Sequence, residues 1–300
     1  MSKENEENFS KVHISWYPGH MAKTKRQIIE DLKLIDVIIE LLDARIPNSS
    51  QNPDIAEFVK NKKRLIVLNK ADLADKIETE KWIESFRNKG IKAIAVDSNQ
   101  GKGINQVEKI ILEMMKYEIN QNTTKGRIRK TIRVMILGIP NVGKSSFINR
   151  ISKKTTMAVG NKPGVTRQKQ WIRIGNQIEL LDTPGVLWPK FESDEVSFNL
   201  AFTGAIKDDV LDKEEIAYYL IKYLDTNYSE VFRNNYNISS DEINNLKNSK
   251  QYYLELMELI GRKRGALISG GRVDTLKVAG IVLDEFRSGK IGKISLEKAK

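Results

Sequence analysis

The sequence contains no cysteine and only two histidines, His13 and His20. The absence of cysteine excludes disulfides, thiolate metal sites and cysteine nucleophiles, and it is compatible with a reducing compartment. Two histidines alone cannot build a zinc site. The N-terminal stretch MSKENEENFS lacks the apolar core of a secretory signal, and no apolar run reaches the length of a membrane helix. These features predict a cytoplasmic protein that has no membrane partner.

Negative charge is the scarcer sign in this chain. There are 50 lysines and arginines against 39 aspartates and glutamates, which gives a formal net charge of +11. On a soluble chain, such an excess favours a polyanionic partner, with nucleic acid first among the candidates. The alternative is solvated charge that only keeps the protein soluble, and net charge alone does not separate the two.

Strand-like and helix-like segments alternate through the first 190 residues. The apolar runs DVIIELLD (36–43), RLIVLN (64–69), IKAIAV (91–96) and RVMILG (133–138) are separated by helical patterns. This alternation predicts an α/β fold with a mostly parallel sheet and helices on both faces. A Gly175–Asn176 turn between QWIRIG and IELLD predicts an antiparallel hairpin at the end of the sheet.

Two domains are expected. Residues 1–191 form the α/β domain, with an N-terminal tail at about 1–11 and a basic linker at 118–133 that lacks helical periodicity. Residues 192–300 show helical spacing with no strand between the helices, which predicts a small all-helical domain.

The segment GIPNVGKS satisfies the pattern G-x-x-x-x-G-K-[ST] with Gly138, Gly143, Lys144 and Ser145. A strand precedes it and a helix follows, which is the context of a phosphate-binding loop. Lys144 is expected to reach the β- and γ-phosphates, and the Ser145 hydroxyl is expected to bind Mg²⁺. The backbone around the phosphates is expected to come from Pro140, Asn141, Val142, Gly143, Lys144, Ser145 and Ser146.

A sensor for the third phosphate follows in DTPG. Asp182 ends an apolar strand, where its carboxylate can hold Mg²⁺ through water, and Gly185 is expected to offer a backbone N–H to the γ-phosphate. Between the loop and this sensor, Thr166 in NKPGVTR is a candidate Mg²⁺ ligand that leaves after hydrolysis.

The segment VLNKADLAD contains Asn69, Lys70 and Asp72, the N-K-x-D pattern with which Ras-type GTPases read guanine. A carboxylate at position 72 can accept from both N1–H and the 2-amino group of guanine, so GTP is expected over ATP. Asp97 and Ser98, in VDSNQGKG after the next strand, are expected to close over the base.

These elements occur in the order base reader, base clamp, phosphate loop, switch threonine and sensor. In Ras-type GTPases the base reader lies well downstream of the phosphate loop, so the order predicts a circular permutation. Permutation is physically permitted because the ends of compact domains are often close together.

Segments along nearly the whole chain resemble the circularly permuted GTPases, specifically the bacterial ribosome biogenesis GTPase A family. They are WYPGHMAK (16–23), LLDARIPNSSQNP (41–53), NKAD (69–72), GIPNVGKSSFINR (138–150), KPGVTR (162–167), LLDTPGVLWPKF (180–191), TGAIKD (203–208) and KRGALISGG (263–271). The resemblance implies a cytoplasmic GTPase of low intrinsic rate that acts late in assembly of the large ribosomal subunit. It also implies contact with ribosomal RNA and proteins, through a helical RNA-binding domain among other parts, and stimulation by the particle.

The resemblance also suggests roles for single residues. Val186 stands where Ras-type enzymes place a water-orienting glutamine, and the family pattern points instead to His20, which otherwise packs or contacts RNA. Asn141 matches an asparagine that helps to hold K⁺ in potassium-stimulated relatives, or else it only shapes the loop. Arg45, in the family hallmark DARIP, is expected either to contact RNA or to brace its loop.

A basic loop between two predicted helices contains Arg262, Lys263, Arg264 and, after several glycines, Arg272. Such charge suits contacts with RNA phosphates, and the alternative is a solvated loop. Three functions therefore stay open: a ribosome assembly GTPase, which leads; a signalling GTPase; and an RNA-binding scaffold in which nucleotide is a conformational ligand. A monomer is expected.

Overall fold

The computed structural model describes residues 20–59, 62–124, 131–152, 171–188 and 191–299. They divide into two compact units, one made of residues 20–188 with 295–299, and the other of residues 191–294. The sequence placed everything after 191 in the helical domain. The C-terminal end differs because Ser295, Leu296 and Glu297 are buried in the first unit.

Within its described residues, the first unit contains one sheet and six helices. The strands are β1 (Val37–Asp43), β2 (Lys63–Asn69), β3 (Lys92–Ala95), β4 (Ile132–Gly138), β5 (Trp171–Ile174) and β6 (Ile178–Leu181). The helices are α1 (His20–Asp31), continued by a 3₁₀ turn at Leu32–Leu34, then α2 (Pro53–Phe58), α3 (Lys76–Asn88), α4 (Ile104–Met114), α5 (Lys116–Thr124) and α6 (Lys144–Ser152).

The strand order across the sheet is β3-β2-β1-β4-β6-β5. All neighbouring pairs are parallel except β5 and β6, which form the predicted antiparallel hairpin. The central strand β1 therefore lies between β2, which precedes the base reader, and β4, which precedes the phosphate loop.

Every residue of β1 is buried, which is why this strand reads as an uninterrupted apolar run rather than as an alternating one. On one face, Ile38 packs with Ile28 of α1 and Ile55 of α2. Farther along the same face, Leu42 packs with Trp82 and Phe86 of α3. The odd-numbered residues of β1 point to the other face and are also fully buried, so both faces of the sheet are covered.

The predicted basic linker at 118–133 is shorter in the structure. Residues up to Thr124 belong to α5, and β4 begins at Ile132. The helix was missed because it has no clear apolar face. It is instead supported by polar contacts, with Lys63 pairing with Glu118 at 2.9 Å and Gln121 donating to the Tyr117 hydroxyl at 2.7 Å. Residues 125–130 lie outside the described part of the chain.

The second unit is helical. Its helices are α7 (Asp194–Phe202), α8 (Lys213–Asn227), α9 (Ser229–Asn235), α10 (Ser240–Leu246), α11 (Tyr252–Arg264) and α12 (Thr275–Arg287), with a 3₁₀ turn at Asp208–Val210. Helix α8 is central and packs against α7, α9, α11 and α12. Extended pairing within residues 191–294 is limited to one bridge, Leu267 with Val273, between α11 and α12. Among the helices of both units, none that the structure describes is long and apolar enough to span a bilayer.

Candidate nucleotide-binding site

The carboxyl ends of three neighbouring strands bring the predicted site residues together. Asp43 at the end of β1 is in register with Asn69 at the end of β2, and Leu41 is in register with Gly138 at the end of β4. In open α/β sheets, ligands bind at this edge. The base reader and the phosphate loop are thus adjacent in space although the chain presents them in permuted order.

The phosphate loop and the DTPG segment line a common cleft of about 620 Å³. Its lining consists of Pro140, Asn141, Gly143, Lys144, Ser145, Ser146, Asp182, Thr183, Pro184 and Gly185. Helix α6 begins at Lys144, so its unsatisfied N–H groups and positive dipole end suit an anion there. Val142 differs from its neighbours because it is buried and does not line the cleft.

Asn69 hydrogen-bonds to both the phosphate loop and the turn that contains Ser98. Its Nδ2 donates to the Val142 carbonyl at 2.8 Å, and its Oδ1 accepts from the Ser98 hydroxyl at 2.6 Å and from the Ser98 N–H at 3.3 Å. Gly143 has φ +95°, and a Cβ there would lie 2.4 Å from Asn69 Nδ2. The glycine is therefore required for the close approach of the asparagine, and Asn69 acts by positioning Val142 and Ser98.

Lys70 reaches the phosphate loop as well. Its Nζ donates to the Asn141 carbonyl at 2.7 Å and to Asp43 Oδ2 at 2.9 Å. The backbone on both sides of this bridge is strained, with φ +59° at Lys70 and +55° at Asn141. Non-glycine residues rarely adopt this conformation, and it tends to occur at functional sites.

Asp43 and Arg45 form a buried ion pair that sequence reasoning did not place in the site. Arg45 is 1% exposed and donates to Asp43 through Nε at 2.9 Å and through a terminal nitrogen at 2.8 Å. Burial raises the pKa of Asp43, but Arg45 and Lys70 outweigh burial and hold the pKa far below its usual value. Of the two expectations for Arg45, the structure supports bracing of the loop. The signal in the sequence was an aspartate at a strand end, followed two residues later by an arginine.

Asp72 and Asp97 have different surroundings. Asp72 is partly exposed, and its pKa is raised by burial and, to a smaller extent, by the Asp97 carboxylate. Asp97 is buried, and its Oδ1 accepts from the backbone N–H groups of Asn99 and Gln100, both at 2.9 Å. Asp72 is therefore available to a ligand, whereas one oxygen of Asp97 shapes the turn that presents Ser98.

The sensor glycine lies against the phosphate loop. A Cβ on Gly185 would lie 2.8 Å from the Pro140 nitrogen and 2.9 Å from Lys144 Nζ, so no larger residue fits. Lys144 donates to the carbonyls of Gly138 and Ile139 at 3.0 and 2.9 Å. Burial lowers the pKa of Lys144 to about 8, and the nearby Asp182 carboxylate opposes this shift. The same burial raises the pKa of Asp182, which Lys144 opposes.

Val186 follows the sensor glycine and belongs to the core. It is 5% exposed and packs in the apolar cluster that contains Ile28 of α1. Its N–H donates to the Gly138 carbonyl at 3.2 Å, and its carbonyl accepts from the Asn52 amide at 3.2 Å. An aliphatic side chain in this position cannot orient water.

Two predicted residues are described only in part or not at all. His20 is the first residue of α1, and its side chain is not among the described ones. Thr166 lies outside the described residues.

Comparisons with known proteins agree with this geometry. Residues 133–255 match the protein family described as 50S ribosome-binding GTPase, and residues 55–192 match the RsgA GTPase family. Ribosome biogenesis GTPase A from Priestia megaterium is 46% identical over 95% of this chain and 96% of its own length. The same protein from Thermotoga maritima is 30% identical over 95% of this chain. The chain belongs to the ribosome biogenesis GTPase A family.

A solved structure supports the fold of this ribosome biogenesis GTPase A family member. The crystal structure of GNP-bound YlqF from T. maritima superposes with a TM-score of 0.64 at 27% identity, and it covers 93% of this chain and 99% of that chain. The resemblance to a circularly permuted GTPase is confirmed, as are the fold class and GTP hydrolysis.

The residues at the cleft of this family member fit Mg²⁺. Ser145 and Asp182 both line the cleft and supply a hydroxyl and a carboxylate oxygen, the donors that Mg²⁺ prefers. No cluster of three or more metal-binding side chains occurs among the described residues. Mg²⁺ in nucleotide sites does not require one, because substrate phosphates and water complete its shell. When bound, the ion neutralises charge on the β- and γ-phosphates.

The four basic residues predicted to contact RNA are not equivalent. The prediction of a basic loop is wrong for Arg262, Lys263 and Arg264, which form the last turn of α11, because the helix ends only at Gly265 with φ +66°. Arg264 donates to Glu285 at 3.0 Å and to the Asn235 carbonyl at 3.2 Å, and it lies 4.9 Å from the Tyr236 ring centroid. Its charge is therefore used within the helical unit. Lys263 pairs with Glu242 at 2.7 Å.

Arg262 and Arg272 are exposed. Arg262 forms a surface pair with Glu258 at 3.8 Å, and such a pair stabilises a protein by about 0–1 kcal/mol. Of the four predicted residues, these two can change partners most readily.

Proposed function

We propose that this GTPase is an assembly factor of the large ribosomal subunit, which binds ribosomal RNA and hydrolyses GTP slowly until the particle stimulates it. Nucleotide binding in this proposal rests on one observation: Asn69 and Lys70 contact the phosphate loop beside the carboxyl end of β1. The particle as partner is supported by the family and by the net charge of +11, which suits a polyanion.

In this proposal, the nucleotide is read at two ends. Asp72 accepts from N1–H and the 2-amino group of guanine, and Ser98 closes over the base from the turn shaped by Asp97. Lys144 exchanges its two backbone carbonyls for phosphate oxygens. The Gly185 N–H donates to the γ-phosphate, so that only the triphosphate engages the sensor.

The attacking water needs a polar residue, because Val186 is buried in the core. We assign this role to His20. Helix α1, which begins at His20, packs through Ile28 into the cluster that contains Val186. At about 1.5 Å per residue, His20 lies roughly 12 Å along the helix from Ile28. Since neutral imidazole accepts a proton near pH 7, it can orient or activate water once the particle fixes the segment.

Thr166 is proposed as a Mg²⁺ ligand in the triphosphate state. Asn141 is proposed as a K⁺ ligand, which is supported by its exposure in the cleft and by its strained backbone at φ +55°. Potassium should then raise turnover relative to sodium, and Asn141→Ala should remove that difference.

The decisive experiment measures GTP turnover with and without large subunits. We expect particles to raise the GTP turnover rate of the parent by at least tenfold and to have little effect on the rate of His20→Ala. Both proteins should bind a non-hydrolysable GTP analogue equally. Thr24→Ala, on the same helix, is the matched control. An unchanged parent rate on addition of particles would show that the proposal is wrong.

The two other functions give different outcomes. A signalling GTPase would not co-sediment with large subunits in the presence of a non-hydrolysable GTP analogue. A scaffold would keep its function in Lys144→Ala, in which the lysine that contacts the phosphates is lost.

A further inference from the structure

The segment that follows the helical unit returns to the nucleotide-binding unit and is buried there. Ser295, Leu296 and Glu297 are 3%, 4% and 7% exposed. The Leu296 N–H donates to the backbone carbonyl of Arg45, in the GTPase core, at 2.8 Å. On the other side of the segment, the Asp75 N–H donates to the Ser295 hydroxyl at 3.1 Å.

Glu297 makes the most specific contacts of this segment. One carboxylate oxygen accepts from the Asn48 N–H at 2.6 Å, and the other accepts from the Ser49 N–H at 2.9 Å and from the Ser49 hydroxyl. A carboxylate that accepts from several backbone N–H groups makes charge-assisted bonds, which are roughly twice as strong as neutral ones. Glu297 therefore fixes the backbone of the loop at residues 44–52, which we name the DARIP loop.

The DARIP loop contacts the nucleotide site at its beginning. Arg45, whose carbonyl is held by Leu296, grips the Asp43 carboxylate with its guanidinium. The same carboxylate accepts from Lys70, which in turn donates to the Asn141 carbonyl of the phosphate loop. A continuous chain of contacts therefore leads from residues 296–297 to the loop that surrounds the phosphates.

We propose that Glu297 is a positioning residue for guanine nucleotide binding, which holds the DARIP loop so that Arg45 and Asp43 align Lys70 with the phosphate loop. Glu297 does not touch the nucleotide. It acts from outside the sequence range of the nucleotide motifs, and the inference rests on the proposed assignment of Lys70 to the nucleotide site.

Fold stabilisation alone would produce a different result. In that case, removing the carboxylate would lower the melting temperature and leave nucleotide affinity unchanged in the folded protein. A positioning role requires the affinity to fall at temperatures where the variant is fully folded. It also requires the effect to depend on Lys70, because the contact chain passes through that residue.

The test uses the full-length chain with Mg²⁺ and fluorescently labelled GDP, at a temperature well below the melting point of every variant. Glu297→Ala is expected to raise the Kd for GDP by roughly tenfold, equivalent to about 1.4 kcal/mol. Glu297→Gln keeps one oxygen but turns an NH₂ group toward a backbone N–H, so a smaller increase is expected. Lys298→Ala, at an exposed neighbour, should match the parent.

Combination with Lys70→Ala separates the inference from the site assignment. Lys70→Ala alone should weaken GDP binding, and Glu297→Ala should add little in that background, because groups that act in series are not additive. Suppose that Lys70→Ala weakens GDP binding. If Glu297→Ala then keeps the parental Kd, or adds its full effect to that of Lys70→Ala, the positioning role of Glu297 is overturned while the assignment of Lys70 stands. If Lys70→Ala leaves GDP binding unchanged, the assignment of Lys70 and the inference fall together.

Discussion

Replacement of Gly143 by alanine tests how closely the base reader and the phosphate loop depend on each other. The new Cβ would lie 2.4 Å from Asn69 Nδ2, well inside contact distance. Asn69 would have to move, and both its bond to Val142 and its bond to Ser98 would be disturbed. A single methyl group should therefore damage the phosphate loop and the base clamp together.

The magnitude can be estimated from two contributions. An alanine at φ +95° costs about 1–2 kcal/mol of backbone strain. Leaving the buried Asn69 amide or its acceptor without a partner costs about 1–3 kcal/mol more. Together these contributions destabilise the conformation that binds nucleotide by roughly 2–5 kcal/mol. GDP affinity should then drop by about 30-fold or more.

The assay is a GDP titration together with a thermal melt, and Gly90→Ala is the matched control. Gly90 has a similar φ of +74°, and a Cβ there would meet no atom within 4 Å. This control should lose about 1–2 kcal/mol of stability from strain alone and keep the parental Kd. In an Asn69→Ala background, Gly143→Ala should cost less, because the colliding atom is gone. A Gly143→Ala protein that binds GDP like the parent would refute the reasoning.

Four further predictions concern the cleft and the helical unit. Since burial lowers the pKa of Lys144 to about 8 and phosphates should raise it again, GDP binding near pH 9 should take up a proton. Calorimetry in buffers of different ionisation enthalpy measures that uptake, which Lys144→Met should abolish. Without nucleotide, the unfolded state binds more protons between about pH 8 and the usual lysine pKa of 10.5, so the free energy of unfolding should rise with pH across that window. Asn52→Ala removes the bond to the Val186 carbonyl and should weaken binding of a GTP analogue more than binding of GDP. Equal losses of affinity for the two nucleotides would contradict the coupling of this bond to the sensor. Arg264→Ala should lower the stability of the helical unit by about 2 kcal/mol, whereas Arg262→Ala should leave melting unchanged and weaken RNA binding; the reverse pattern would contradict their assignments.

The sequence was sufficient to predict the sheet and its edge because each of these features is local. The strands that end at Asn69 and Gly138 are short apolar runs, and each precedes a motif whose turn chemistry limits the fold at that point. The parallel order of strands then places both motifs at one edge. The hairpin at Gly175 was readable for the same reason, since a positive φ in a tight turn favours glycine.

Two helices of the second unit, α7 and α9, are not predicted individually because they lack the periodicity on which prediction depends. Helix α7 is buried on most of its surface, including Ser197 and Asn199, so no polar face alternates with an apolar one. Its beginning is signalled by Ser193, whose side chain accepts from the Val196 N–H, and by the acidic residues Asp194 and Glu195 in its first turn. Helix α9 spans only seven residues, too few for a repeating pattern.

Long-range partners could not be predicted from either motif or period. Nothing near Glu297 indicates that its carboxylate binds backbone groups at Asn48 and Ser49, almost at the other end of the chain. Arg264 was grouped with its basic neighbours because charge is visible in a sequence, whereas its contacts with Glu285 and Tyr236 are not.

The buried segment at 295–299 is synthesised after the rest of the GTPase unit, which affects when that unit is completed. The ribosome completes the phosphate loop and the sensor before it makes the helical unit, and Glu297 emerges only afterwards. At about 5–20 residues per second, roughly a hundred intervening residues take about 5–20 s. During that interval the DARIP loop of the nascent GTPase unit lacks its carboxylate anchor, so high nucleotide affinity should be acquired only after the helical unit has been translated.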